Sequence, residues 1–141
     1  MLSITVEHTV AFNELDPMNV VWHGNYANYF ELARAALLHK IGMGYAAMQE
    51  FGYAWPVVKL SCKYIRSARL GQRLAIRAEI TEYHNTITLK FAIRDAESGE
   101  LLTRGETMQM AVSVASGETC MVSPPCLLNC IENYLQQHRL Q

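Results

Sequence analysis

The chain predicts an α+β fold in which a curved antiparallel sheet wraps around one long helix. Two observations carry this. Residues 25–42 place Tyr26, Tyr29, Phe30, Ala33, Ala36, Leu37 and Ile41 at three- and four-residue steps, the apolar stripe of a helix. From Tyr53 onward the pattern changes to runs of alternating apolar and polar residues separated by turn signals. One long helix can bury its stripe only against the one sheet available.

Taken in order, residues 2–12 alternate as a first strand, and residues 13–24 form a loop that carries Asp16. Asn25 is placed to cap the helix, a contribution of about 1 kcal/mol, and Gly42 and Gly44 end it. Tyr45 to Phe51 reads as a short second helical piece. Within 73–83, Leu74, Ile76, Ala78 and Ile80 share one face, and Arg77, Glu79 and Thr81 share the other. Within 86–94, Ile87, Leu89, Phe91 and Ile93 alternate with Thr88, Lys90 and Arg94, and 101–115 continues with Leu102, Met108, Met110 and Val112. The turns His84-Asn85, Ser98-Gly99 and Ser116-Gly117 are short enough to join antiparallel neighbours. After Pro124-Pro125, Cys126 to Gln137 reads as an amphipathic helix.

The length of 141 residues suits one domain, 1–141, large enough for a real core. Half of the residues are hydrophobic and 18% are charged, which excludes a disordered, tail-like chain. A net charge of -1 points away from a general nucleic-acid binder. Cys62, Cys120, Cys126 and Cys130 form no C-x-x-C pair, so reduced thiols and a cytoplasmic location are expected. The first residues lack a basic and then apolar leader pattern, and no stretch reaches the roughly 18 apolar residues of a membrane span.

Chemistry concentrates between residues 16 and 34. Asp16 lies in an Asp-Pro loop, followed by His23, Gly24 and the predicted helix start. The first turn of a helix has unpaired N–H groups and a partial positive charge. That suits a developing oxyanion, with a carboxylate alongside to assist attack. Read alone, Asp16 more often opens a turn, His23 more often fills a loop, and Glu31 and Arg34, three apart, form a local ion pair. Tyr26, Tyr29 and Phe30 read as core and interface aromatics. No His-x-x-x-His or His-Glu-x-x-His pattern suggests a metal, and no Gly-x-Ser-x-Gly elbow or Gly-rich phosphate loop follows a strand.

The pattern Asp16-x6-His23-x-Asn25-Tyr26-x2-Tyr29-Phe30-Glu31-x-Ala33-Arg34 resembles the signature of hotdog-fold acyl-CoA thioesterases, the 4-hydroxybenzoyl-CoA thioesterase-like family. The resemblance continues more weakly through Tyr53-Ala-Trp-Pro-Val-Val and Tyr64-Ile-Arg. It implies a hotdog fold and hydrolysis of an acyl thioester, with Asp16 attacking the carbonyl or activating water, and His23 offering its backbone N–H to the thioester oxygen. Gly24 would let backbone approach the ligand closely, and Asn25 and Tyr26 would flank the substrate. The resemblance also implies a homodimer or homotetramer with the site at a subunit interface, and no cofactor beyond the pantetheine-bearing substrate. A non-catalytic acyl-thioester binding module and a hotdog hydratase or dehydratase are the alternatives, and a carboxylate beside the thioester argues against the first.

Lys59, Lys63, Arg66, Arg69, Arg73 and Arg77 make up half of the 12 Lys and Arg, with no acid among them. They read either as a solvated face or as a basic rim for the phosphates of coenzyme A or for an acidic acyl carrier protein, with Arg66 and Arg69 as candidate substrate contacts. In several relatives a basic hairpin near 83–86 holds the nucleotide. Here it reads Tyr83-His84-Asn85-Thr86, a departure from that pattern.

Overall fold

The computed structural model describes residues 2–139. Strand β1 (Ser3–Thr9) leads into a 3-10 turn (Phe12–Glu14), the loop, helix α1 (Asn25–Lys40) and helix α2 (Tyr45–Phe51). Strands β2 (Tyr53–Ala54), β3 (Val57–Tyr64), β4 (Arg73–Glu82), β5 (Ile87–Asp95), β6 (Leu101–Gln109) and β7 (Val112–Ser113) follow, then helix α3 (Pro125–Arg139). Five strands form one antiparallel sheet in the order β1-β4-β5-β6-β3, and β2 pairs with β7 apart from it.

The alternation in β4 and β5 sets the sheet's two faces. Leu74, Ile76, Ala78 and Ile80 are buried on one side with Ile87, Leu89, Phe91 and Ile93, and α1 packs there through Tyr26, Tyr29, Phe30, Ala33 and Leu37. Leu127, Ile131 and Tyr134 of α3 join the same core. At its centre the Phe30 ring stacks on Phe91, with centroids 4.5 Å apart. Gly105 is the cross-strand partner of Phe91, and a Cβ there would collide with Phe30. The glycine is what lets the helix sit this close.

Three expectations need correction. The first strand stops at Thr9, because Phe12–Glu14 form a 3-10 turn; the main helix likewise ends at Lys40 rather than residue 42. In β6, Thr103, Thr107 and Gln109 are buried on the helix side with Gly105 between them, while Met108 and Met110 are only partly covered. A register shift beside Arg94 buries both Leu102 and Thr103, so the apolar residues of this strand do not mark one face. The four cysteines are free thiols.

Gly105→Ala should destabilise the fold by about 1–3 kcal/mol, the usual cost of overpacking. Urea denaturation measures this, and adding Phe30→Leu should recover part of the loss.

Candidate active site

The Asp16 loop is a miniature hairpin. Glu14 carbonyl accepts the Trp22 N–H at 2.9 Å, Leu15 bridges Val21, and the Asp16 N–H donates to Val20 carbonyl at 2.8 Å. Asn19, at φ 62°, makes the reversal, a conformation Asn tolerates. Asp16 Oδ1 accepts the Met18 N–H at 2.8 Å, so the residue does form a turn as its bland reading requires. Its Oδ2 has no hydrogen-bond partner among the described residues, which leaves one carboxylate oxygen free for chemistry.

One residue missing from the sequence argument organises this loop. The Glu14 carboxylate accepts the His8 Nε2–H at 3.0 Å, the Ala11 N–H at 2.7 Å and the Tyr29 hydroxyl at 3.1 Å. Its carbonyl accepts the Asn25 side-chain amide at 2.9 Å as well as Trp22. Strand β1, the 3-10 turn, the loop and α1 thus meet at one side chain and one carbonyl. Burial raises the Glu14 pKa, but the N–H of Ala11, the His8 imidazole and the Tyr29 hydroxyl outweigh it and hold the carboxyl below its ordinary value. Burial, and after it the Glu14 charge and hydrogen bond, push the Tyr29 phenol up.

The helix start differs from the sequence expectation. Gly24, not Asn25, is the N-cap residue, and no side chain caps it. Asn25 instead spends its amide on Glu14, fastening the helix start to the loop. Gly24 has ordinary helical dihedrals, and the Trp22 indole lies where its Cβ would be, so the space above it is filled by protein. The N–H groups of His23 and Gly24 donate to no acceptor among the described residues. His23 exposes its ring, and its carbonyl accepts the Tyr64 hydroxyl at 3.0 Å.

The remaining candidates divide. Tyr26 is buried, and its hydroxyl accepts the Ala68 N–H at 3.2 Å, holding the 65–72 loop against α1. That loop also meets the Asp16 hairpin, through a bridge between Val20 and Arg69 and through the Val21 N–H on Ala68 carbonyl at 2.9 Å. Arg69 therefore stands beside the hairpin, whereas Arg66 faces Glu100 at 3.6 Å. Glu31 and Arg34 form the expected ion pair. They border a cavity of about 370 Å³ that continues to Leu38, Met48, Trp55 and Gln109. Gln109 gives its amide to Trp55 carbonyl at 2.6 Å, leaving Gln109 Oε1 and Trp55 Nε1 buried without partners among the described residues. Burial pushes the thiols of Cys62, Cys126 and Cys130 up, which disfavours the thiolate a cysteine nucleophile needs. Among the described residues no group of His, Cys, Asp and Glu gathers to hold a metal ion.

A family model for the thioesterase superfamily matches residues 18–101, beginning just after Asp16 and covering most of the chain. The chain belongs to this superfamily and is a thioester hydrolase of hotdog fold. It is 31% identical over 105 residues to the acyl-CoA thioester hydrolase YbgC of Escherichia coli O157:H7, covering 73% of this chain and 77% of the relative. It is similar to the solved DHNA-CoA thioesterase from Staphylococcus aureus, with a TM-score of 0.78 at 30% identity over 86% of this chain and 81% of the other. A 4-hydroxybenzoyl-CoA thioesterase solved with 4-hydroxybenzoyl-CoA shares the fold, with a TM-score of 0.80 at 18% identity over 92% of this chain and 99% of the other.

A depressed carboxylate stabilises the fold above its unfolded pKa and loses that contribution as pH falls through the folded one. Glu14→Gln should cost about 1.5–3 kcal/mol near neutral pH, as expected for bonds to a partly buried charge. It should also flatten the decline in melting temperature below the ordinary Glu value of 4.5. Thermal unfolding across pH measures both effects.

Proposed function

We propose that the chain hydrolyses an acyl-CoA thioester, with Asp16 as base or nucleophile and the N–H groups of His23 and Gly24 as oxyanion donors. The observation that carries this reading is the pair of unpartnered N–H groups at the start of the 16-residue α1, with the Asp16 hairpin fastened to the same turn. The helix dipole adds positive potential at that point. As the tetrahedral intermediate forms, charge grows on the thioester oxygen, where donors already fixed in place are worth most. That intermediate forms when Asp16 Oδ2 either bonds to the carbonyl carbon or takes a proton from the attacking water. The C–S bond then breaks, and the sulfur leaves as thiolate and takes up a proton. On the first route water hydrolyses the resulting anhydride to free acid and Asp16 carboxylate.

The acyl group has a natural course along α1. Gly24, Ala27, Glu31, Ala35 and Leu38 follow one another at three- and four-residue steps, and the last three border the cavity that Trp55 and Gln109 close. Glu31 lies six residues past Asn25, about 9 Å along the axis at 1.5 Å per residue.

A homodimer completes the site in this reading. Strand β3 is an edge of the sheet, and it exposes Val58, Leu60 and Tyr64 along with Ile65 just beyond. An exposed apolar edge is a template for pairing with another strand. Tyr64 ties this edge to His23, so pairing there would bring a second subunit to the oxyanion site. The four free thiols fit a reducing, cytoplasmic setting.

Asp16→Asn should leave folding intact and lower acyl-CoA turnover by several orders of magnitude, followed by free-thiol release. Near-normal turnover would sink the mechanism. Leu60→Asp should convert the dimer to monomer in light scattering and lower activity with it, whereas a wild-type protein that is a fully active monomer would contradict the interface.

A further inference from the structure

The sheet's outer face is bare of helices, and its charge is not that of the whole chain. Direct cross-strand partners share a face, so the register gives its rows. One row runs Thr5, Arg77, Ala92, Arg104, Lys63 across all five strands. The next runs Ser3, Glu79, Lys90, Glu106, Ser61. Alternation along the strands adds Arg73, Arg94 and Glu7 to the same side, and a further row of partners, Glu82, Thr88, Met108 and Lys59, adds Glu82 and Lys59.

Seven of the 12 Lys and Arg therefore stand on this face with only four of the 13 Asp and Glu. Its net charge is +3, and since the chain totals -1 the remaining residues carry -4. Arg73 meets Glu7 at 3.6 Å and Arg77 meets Glu79 at 3.5 Å, exposed pairs worth little. Lys59, Lys63, Lys90 and Arg104 have no ion pair among the described residues. Around Ala92, the small residue between Arg77 and Arg104, the side chains leave an open cleft of about 450 Å³ that also reaches Lys63 and Lys90.

We propose that this face is a docking surface for an acidic protein, and that the protein is the carrier that bears the acyl group. The inference rests on the thioester reading above and adds the thiol carrier to it. Like charges gathered on a rigid sheet repel one another unless a partner of opposite sign covers them, and complementary charge speeds encounter and fixes orientation. The five strands span about 19 Å at 4.8 Å spacing, an area suited to a protein surface. The exposed Leu60 and Tyr64 of β3 pair with Thr107 and Thr103 on the helix side, and no exposed aromatic stands in the two rows above, so those rows lack the stacking platform of a single-strand nucleic-acid binder. Its basic row ends at Lys63, next to Tyr64, whose hydroxyl holds His23. The basic run seen in the sequence is thus divided by the fold. Lys59, Lys63, Arg73 and Arg77 join Lys90, Arg94 and Arg104 here, while Arg66 and Arg69 stay on the loop by the hairpin.

The test uses the whole protein and purified apo acyl carrier protein as probe, with binding measured by calorimetry from about 50 mM to about 500 mM salt. Exposed charge pairs are screened within about 8 Å at physiological ionic strength, so binding should weaken steeply as salt rises. The combined reversal of Lys63→Glu, Lys90→Glu and Arg104→Glu should weaken it by at least about tenfold. The neutral set K63Q, K90Q and R104Q should weaken it less, and circular dichroism checks that both sets fold. Hydrolysis of acyl-CoA should stay unchanged in both sets. Parallel arms use phosphatidylglycerol vesicles, a single-stranded oligonucleotide and inorganic phosphate. Absence of carrier binding at low salt, binding indifferent to the reversals, or charge-dependent binding of one of the other probes in place of the carrier would overturn the proposal. Loss of acyl-CoA turnover in the unaltered protein would instead strike the catalytic reading, because carrier binding is measured without turnover.

Discussion

Glu14 fastens the candidate site together through both of its polar ends. Its carboxylate gathers His8 from β1, the Ala11 N–H and the Tyr29 hydroxyl from α1, and its carbonyl gathers Trp22 and the Asn25 amide. Asp16 stands two residues away on the hairpin that this carbonyl closes, and His23 follows Trp22 directly. Without that hub the hairpin would be held to the helix start only by the chain, the Asn25 N–H on Trp22 carbonyl and the 65–72 loop that touches both. The bonds that hold β1, the hairpin and the helix start together therefore converge on one residue, and against burial three of them keep its carboxyl pKa below the ordinary value.

The rest of the fold supplies a stiff backing for that arrangement. The apolar face of β4 and β5 receives α1, and Gly105 lets Phe30 settle against Phe91. Packing of this density transmits little slack, so the start of α1 is fixed relative to the sheet. Tyr26 and Tyr64 carry the same rigidity outward, one to the 65–72 loop and one to His23 carbonyl. The opposite face of the sheet packs against no helix among the described residues, and its rows are polar and charged.

Much of this was legible in the residues. The period-two runs of β4 and β5 and the stripe of α1 mark their buried faces because those faces are apolar throughout. Strand β6 misleads because its helix side is built of Thr103, Gly105, Thr107 and Gln109, small or polar residues that fit beneath Phe30. Asn25 has the composition of a cap, yet its amide finds Glu14 carbonyl 11 residues earlier, a partner that local pattern cannot supply. Local pattern does not mark Glu14, since its partners are three, six and 15 residues distant and each comes from a different element. The basic run looked continuous because sequence order hides which residues alternate across a sheet and which stand on a loop.

The most direct test of the oxyanion reading is vibrational. An acyl-CoA labelled with ¹³C at its thioester carbonyl, bound to the inactive Asp16→Asn variant, reports on hydrogen bonds to that one oxygen by infrared difference spectroscopy. Donation from the His23 and Gly24 N–H groups, with the dipole of α1 behind them, predicts a carbonyl stretch shifted to lower frequency than that of the same thioester in water. A stretch at or above the solution frequency would show that the helix start does not polarise the bond, and would contradict the account.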